Sequence, residues 1–191
     1  MIPAVAICIG HSREVNGRHE GGAVAADGST NEWAYNSALA PLIVSALARQ
    51  TIRAVVVDAY EGHGYGAAMR WLATHLKELG VRSAVELHFN DSDDAGAHGH
   101  EWLYWHSSPR GKRLAESLSD EFCLGMPGIR RRGAKAKAPG DRGAEFLSGT
   151  HCPAVICEPF FGSNRSDWSA ATLGRQKIAN AIAEGIAEYL D

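Results

Sequence analysis

The chain has no long apolar run. No stretch of its 191 residues approaches the roughly 20 apolar residues that a membrane-spanning helix needs. Cysteine is scarce, at four residues, and no pair is spaced as CxxC. A thiolate zinc knuckle is therefore excluded, and nothing suggests a disulfide framework or an oxidising compartment. Cys8 and Cys157 sit inside apolar runs, where cysteine acts as a small hydrophobe. Excess charge of either sign is missing too. The 19 Lys and Arg against 22 Asp and Glu leave a net charge of −3, so no global field favours nucleic acid or an anionic membrane as partner. No internal repeat or linker-like segment interrupts the sequence, and one domain over residues 1–191 is expected. The opening MIPAVAICIGHS lacks a basic n-region. It reads as a first strand, not as a signal peptide, so the expectation is a protein made in the cytoplasm and delivered by another route.

What the chain does have is alternation. AVAICIGHS, RAVVVDAY, SAVELHFN, HGHEWLYWHSS and CPAVICEPFF read as strands. Between them, Leu39, Leu42, Ile43 and Leu47 recur at helical spacing behind a Thr30 or Asn31 cap. Pro41 predicts a kink or break in that helix. AAMRWLATHLKELG reads as a helix closed by Gly80, Lys112 to Phe122 as an amphipathic helix, and KIANAIAEGIAEYL as a last helix. Ser12 to Thr30 and the basic stretch Ile129 to Gly143 read as loops. The alternation predicts an α/β fold: a three-layer α/β/α domain with a mostly parallel central sheet.

Three of the apolar runs end in a side chain suited to metal or proton chemistry: His11, His88 and Glu158. In open α/β sheets the site lies outside the carboxyl ends of the strands, so residues far apart in sequence can converge there. Two imidazoles and a carboxylate form a hydrolytic zinc set with a fourth position left for water. In SAVELHFN, alternation puts Val85, Leu87 and Phe89 on one face and Glu86, His88 and Asn90 on the other. A polar row on a buried strand implies a site. Gly10 before His11 allows a sharp turn. The partner carboxylate is open at this point: Glu14 completes the HxxE spacing of zinc carboxypeptidases, Glu20 lies beside His19, and Glu32 opens a helix, where the dipole alone also favours an acid. Glu158, between PAVIC and PFF, is a buried carboxylate that needs a cation, a metal or a raised pKa. A raised pKa suits a general base, and a salt bridge to an arginine is the structural alternative.

Taken in order, IGHS, NEWAYNSALA, VELHFN and PAVICEPFFGSN followed by a C-terminal helix resemble the zinc-dependent N-acetylmuramoyl-L-alanine amidases, the cell-wall amidases that include phage endolysins. The resemblance implies Zn2+ ligands at His11, Glu32 and His88 and a catalytic Glu158, and it selects Glu32 over Glu14. It implies cleavage of the amide between N-acetylmuramic acid and L-alanine in peptidoglycan, by a single catalytic domain acting at the cell wall after release from the cell. A monomer with no nucleic-acid partner, no membrane insertion and no separate wall-binding module is expected. The family's first motif is commonly of an Asp-Pro-Gly-His-Gly type, where this chain has Cys8-Ile9-Gly10-His11-Ser12. The Gly-His-Gly around His63 lies out of order and is set aside. His98, His100 and His106 read as surface or groove residues, with His100 the reserve ligand. Glu86, Asn90 and Asn36 are candidates to support the ligands. The basic stretch 129–143, with six Lys or Arg, suits stem-peptide carboxylates or is simply solvated. A zinc carboxypeptidase using His11 and Glu14, and a non-catalytic binder of wall fragments, are the competing readings.

Overall fold

Five-residue runs with every side chain buried form the centre of the sheet. In this computed structural model, which describes residues 4–15, 17–94 and 96–191, β1 (Val5–Ile9) is buried throughout. The first three residues of the opening segment lie outside the described residues. Two short strands, β2 (Glu14–Val15) and β3 (Arg18–His19), pair as an exposed antiparallel hairpin in the stretch read as a loop. The chain then enters α1 (Glu32–Arg49), β4 (Ala54–Val57), α2 (Tyr65–Leu79) and β5 (Ser83–Leu87). It continues through β6 (His100–Trp105), α3 (Pro109–Gly125), β7 (Arg131–Lys137), α4 (Ala144–Gly149), β8 (Ala154–Glu158), α5 (Arg165–Leu173) and α6 (Arg175–Leu190).

The six-stranded sheet has the order β4-β1-β5-β8-β6-β7. β4, β1, β5 and β8 run parallel, while β6 joins β8 antiparallel and carries β7 parallel to itself. Strand alternation sorts the core into two layers. Val5, Ile7, Val85, Leu87, Val155 and Cys157 face α1, α3, α5 and α6, and Ala6, Cys8, Ala84, Ala154 and Ile156 face α2 and α4. Each fully buried aliphatic side chain contributes about 1.5–3 kcal/mol, which is why apolar runs rather than alternating ones occupy the central positions. From β1 the chain moves to β4 on one side, then crosses back to β5 on the other. That reversal opens a crevice beyond the ends of β1 and β5.

Several local expectations hold. Asn31 caps α1, its side chain accepting from the Ala34 amide at 2.9 Å, and Gly80 closes α2 in the left-handed conformation. Others need correction. Pro41 does not break α1; it lies exposed inside a continuous helix and costs one main-chain hydrogen bond there. The basic stretch 129–143 is not all loop, because Arg131–Lys137 forms edge strand β7. Its Lys and Arg side chains hide the strand from a hydrophobicity reading, and such charge is what keeps an exposed edge from pairing with another chain. α4 and α5 are too short for their periodicity to have registered.

His100 is also corrected: it is neither a surface residue nor a reserve ligand. It is fully buried in the layer opposite α2 and α4, with its ring against Phe122. Trp102 Nε1–H donates to its Nδ1 at 2.8 Å, which leaves the ring proton on Nε2, 3.4 Å from Cys123 Sγ. Burial, aided by the charge of Arg131, lowers its pKa from 6.5 to about 4. Between those values the folded state binds fewer protons than the unfolded chain, so stability falls as pH drops from 6.5 toward 4. The loss is about 3 kcal/mol at most. Urea unfolding at stepped pH should show this slope in the native protein, and His100→Gln should flatten it whatever its stability at neutral pH. An unchanged slope in the variant would rule out His100 as its source.

Candidate active site

The ends of β1, β5 and β8 open onto one cleft of about 770 Å3. His11 stands two residues beyond β1 with φ of 60°, a left-handed conformation uncommon for a side chain with a Cβ. The sharp turn is therefore made at His11 itself and not, as expected, at Gly10. Gly10 serves a different end, since a Cβ there would lie 2.3 Å from His88 Cε1. Only glycine lets the His88 ring lie over this backbone.

Glu32 joins the two histidines. It sits in the first turn of α1, 4% exposed, where the helix dipole favours a carboxylate. Oε1 lies 2.7 Å from His88 Nδ1 and accepts from the Phe89 amide at 3.2 Å. Oε2 lies 3.3 Å from His11 Nε2 and accepts from the Ala23 amide at 3.1 Å. Gly22, at φ 72°, passes so close that a Cβ would fall 2.6 Å from both Glu32 Oε2 and His11 Cδ2. One donor atom from each of His11, Glu32 and His88 lies within 4.8 Å of the others, a group able to hold a metal ion.

The electrostatics follow from that packing. Burial works against the Glu32 anion, yet hydrogen bonds and charge from His11 and His88 hold its pKa well below the usual carboxylate range. Burial likewise opposes charge on His88, but Glu86 and Glu32 raise its pKa well above the ordinary value. Two buried acids, one on each ring nitrogen, thus draw positive charge onto His88. Glu86 Oε2 meets His88 Nε2 at 3.1 Å, and Glu86 Oε1 accepts from the Tyr60 hydroxyl at 3.1 Å. With Nε2 held by Glu86, the Nδ1 edge is the one turned toward Glu32, so a cation taking the place of the Nδ1 proton would find a histidine backed by an outer carboxylate.

Glu158 ends β8 on the same cleft, and its Oε2 is buried without a hydrogen-bond partner. Its pKa is pushed up to about 8, first by burial; the charge of His88 opposes the rise, Glu32 and Glu101 add to it, and Arg142 opposes it. No arginine salt bridge forms, so the structural alternative for Glu158 fails among the described residues. Directly across the ladder stands Glu101, a residue missed in the sequence. Its Oε1 accepts from Asn90 Nδ2 at 2.9 Å and its Oε2 from Arg132 Nε at 2.7 Å. The alternation of HEWLYW puts Glu101 on the face of Leu103, a signal only once the register with β8 is known.

Other candidates fall away from the group. Glu14 is exposed in β2 opposite His19, and Glu20 lies at the cleft rim in an ion pair with Arg13. His63 and His106 are exposed and His98 half-buried, and none lines the cleft. Of the supporting residues expected, Glu86 touches a ligand candidate, Asn90 serves Glu101 instead, and Asn36 is buried without a side-chain hydrogen bond. Tyr60 went unforeseen.

Residues 5–188 match the family model of N-acetylmuramoyl-L-alanine amidases. The chain belongs to that family. Its reaction is hydrolysis of an amide bond in peptidoglycan, and the chain is an N-acetylmuramoyl-L-alanine amidase. No curated protein sequence matches it. Among solved structures it is similar to the catalytic domain of the amidase CwlV from Bacillus (Paenibacillus) polymyxa var. colistinus, at 23% identity over 100% of this chain and 99% of that one, TM-score 0.81. The CwlD amidase of Clostridioides difficile, solved in complex with the GerS lipoprotein, is 20% identical over 98% of each chain, TM-score 0.82. The catalytic domain of the CD27L endolysin, which targets Clostridia difficile, is 24% identical over 98% of each chain, TM-score 0.78. At these identities the likeness extends to the fold. The expected three-layer arrangement of this amidase is therefore seen both in its own sheet and in its neighbours.

The close approach at Gly10 yields a test. Gly10→Ala should displace the His88 ring while leaving the amidase folded, weakening divalent-metal binding by roughly tenfold or more in competition with a chromophoric chelator. Unaltered metal affinity would show that the ring has room to spare.

Proposed function

We propose that this amidase is zinc-dependent, that His11, Glu32 and His88 hold the metal, and that Glu158 is the general base. The observation that carries the reading is the convergence of these residues on one cleft, with Glu158 unpaired beside the triad. The donor set fits zinc: two imidazole nitrogens and one carboxylate oxygen, three protein ligands that leave a fourth position. When bound there, zinc supplies Lewis acidity that acidifies water and polarises the scissile carbonyl.

This chain's residues supply the rest. Glu32 and Glu86 hold the His88 ring between them and fix its orientation. Glu158, with a pKa pushed up to about 8 by burial, accepts the proton of the attacking water and delivers it to the leaving amine of alanine. Hydrolysis separates the lactyl group of N-acetylmuramic acid from the stem peptide. Glu101, across the ladder from the base, is held in place by an ion pair with Arg132 and a hydrogen bond from Asn90.

The HxxE alternative loses its support because Glu14 is exposed and stands outside the group that His11, Glu32 and His88 form. We further propose that residues 1–191 form one catalytic domain that acts as a monomer on the wall, in lysis of a phage or prophage type. The endolysin among its structural neighbours favours that setting. No helix among the described residues is long and apolar enough to cross a membrane.

Metal analysis separates the two carboxylates. Glu32→Gln should lose bound zinc while Glu14→Gln keeps it, and the reverse pattern would overturn the ligand set. Glu158→Gln should keep zinc and fold but lose about a hundredfold or more in turnover; wild-type turnover would remove it as base. Digests of peptidoglycan read by mass spectrometry should contain stem peptides with a free N-terminal alanine and no new reducing sugar ends. Product with intact muramoyl-alanine linkages would contradict the assigned bond.

A further inference from the structure

The walls of the cleft differ in charge. Around the triad and the base stand Glu32, Glu86, Glu101 and Glu158 without a lining cation between them, whereas the wall where β7 ends and α4 begins carries Lys137 and Arg142 together with Asp141 and Glu145. The other cations near the cleft are already matched, Arg13 to Glu20 and Arg132 to Glu101. Among the described residues Lys137 and Arg142 form no ion pair, although Asp141 and Glu145 line the same wall.

Asp141 is committed elsewhere. Its Oδ2 accepts from the Ala138 amide at 2.7 Å, and its main chain closes the turn through Asp141 N to Ala138 O at 3.1 Å and Ala144 N to Asp141 O at 3.1 Å. The segment between β7 and α4 is therefore a hydrogen-bonded turn that presents Arg142 in a defined place. Gly143 abuts the Ile156 side chain, two residues before Glu158 on the same strand face. The guanidinium is near enough to Glu158 to pull its pKa down. Two unmatched cations, one on a fixed turn, thus face the space beside the base where the scissile amide must lie.

We propose that Lys137 and Arg142 form a carboxylate-binding subsite that reads the free α-carboxylate of the acidic residue following alanine in the stem peptide. The amidase accordingly prefers acidic stems to stems in which that carboxylate is amidated. This rests on the amidase assignment, since a stem peptide cut at its first amide must run along a wall of the cleft. Arg142 suits the task because a guanidinium meets a carboxylate with two parallel hydrogen bonds, and Lys137 adds a point charge. Amidation removes the negative charge and replaces an acceptor with a donor, which two cations cannot pair.

The test uses N-acetylmuramoyl-L-alanyl-D-glutamic acid γ-methylamide, in which only the α-carboxylate of the glutamate is free, and the same compound with that carboxylate amidated, as substrates for the zinc-loaded protein. The acid should be favoured in kcat/KM by about tenfold or more, expressed mainly in KM. The double substitution Lys137→Gln, Arg142→Gln should bring the ratio near one, and Arg142→Lys should restore part of it. A wild-type ratio near one, or a double variant that keeps the preference, overturns the subsite. Calorimetry of both compounds on the Glu158→Gln protein gives the same ratio from binding alone. A binding preference abolished by the double substitution supports the subsite even where turnover fails, which would count only against the amidase chemistry; its absence overturns the subsite.

Discussion

Everything at this site hangs on one buried carboxylate that is shared twice. Glu32 spreads its oxygens toward His11 on one side and His88 on the other while accepting from two main-chain amides, Ala23 and Phe89. Burying that charge would be costly alone; the helix dipole, two amides and two imidazoles together offset the loss of water. The same contacts tie the first turn of α1 to the turn after β1 and to the end of β5. Because β1 and β5 are adjacent parallel strands, their ends bring the two rings to 5.1 Å centroid separation before any ligand is considered.

Glu158 shows what the same residue type becomes a short distance away. It has no amide or imidazole hydrogen-bonded to it, and burial drives its pKa opposite to that of Glu32. One carboxylate is held as an anion and the other is left ready to take a proton, a division of labour set by environment alone. The antiparallel insertion of β6 beside β8 makes this possible. It brings Glu101 opposite Glu158, and Arg132 from β7 then neutralises Glu101. The two outer strands, which break the parallel order of the sheet, are thereby part of the site rather than an appendage to the fold.

Much of the site was legible because burial leaves a mark in sequence. A polar row in SAVELHFN and a lone acid in PAVICEPFF are anomalies in apolar strands, and both mark cleft residues. Glu32 carried no such mark, since a first-turn acid satisfies a helix by itself, and HxxE at His11 pointed equally to Glu14. Family resemblance, not spacing, separated them. Glu86 was visible as a polar residue on the right face. Its hold on His88, and the hydroxyl of Tyr60 behind it, depend on side chains from different strands and a loop meeting in space. β7 was hidden because an edge strand with one solvated side needs no apolar run.

The sequence by itself determined the layers, the central strands and the residue types at their ends, because period and burial are local properties of the chain. Tertiary structure alone decided that Glu32 is shared between both histidines, that Glu101 faces Glu158, that His100 belongs to the core, and which cations remain unmatched at the cleft. Those outcomes follow from strand order and register, which are set by contacts between residues remote in the chain. No local pattern encodes a distance between two strand ends.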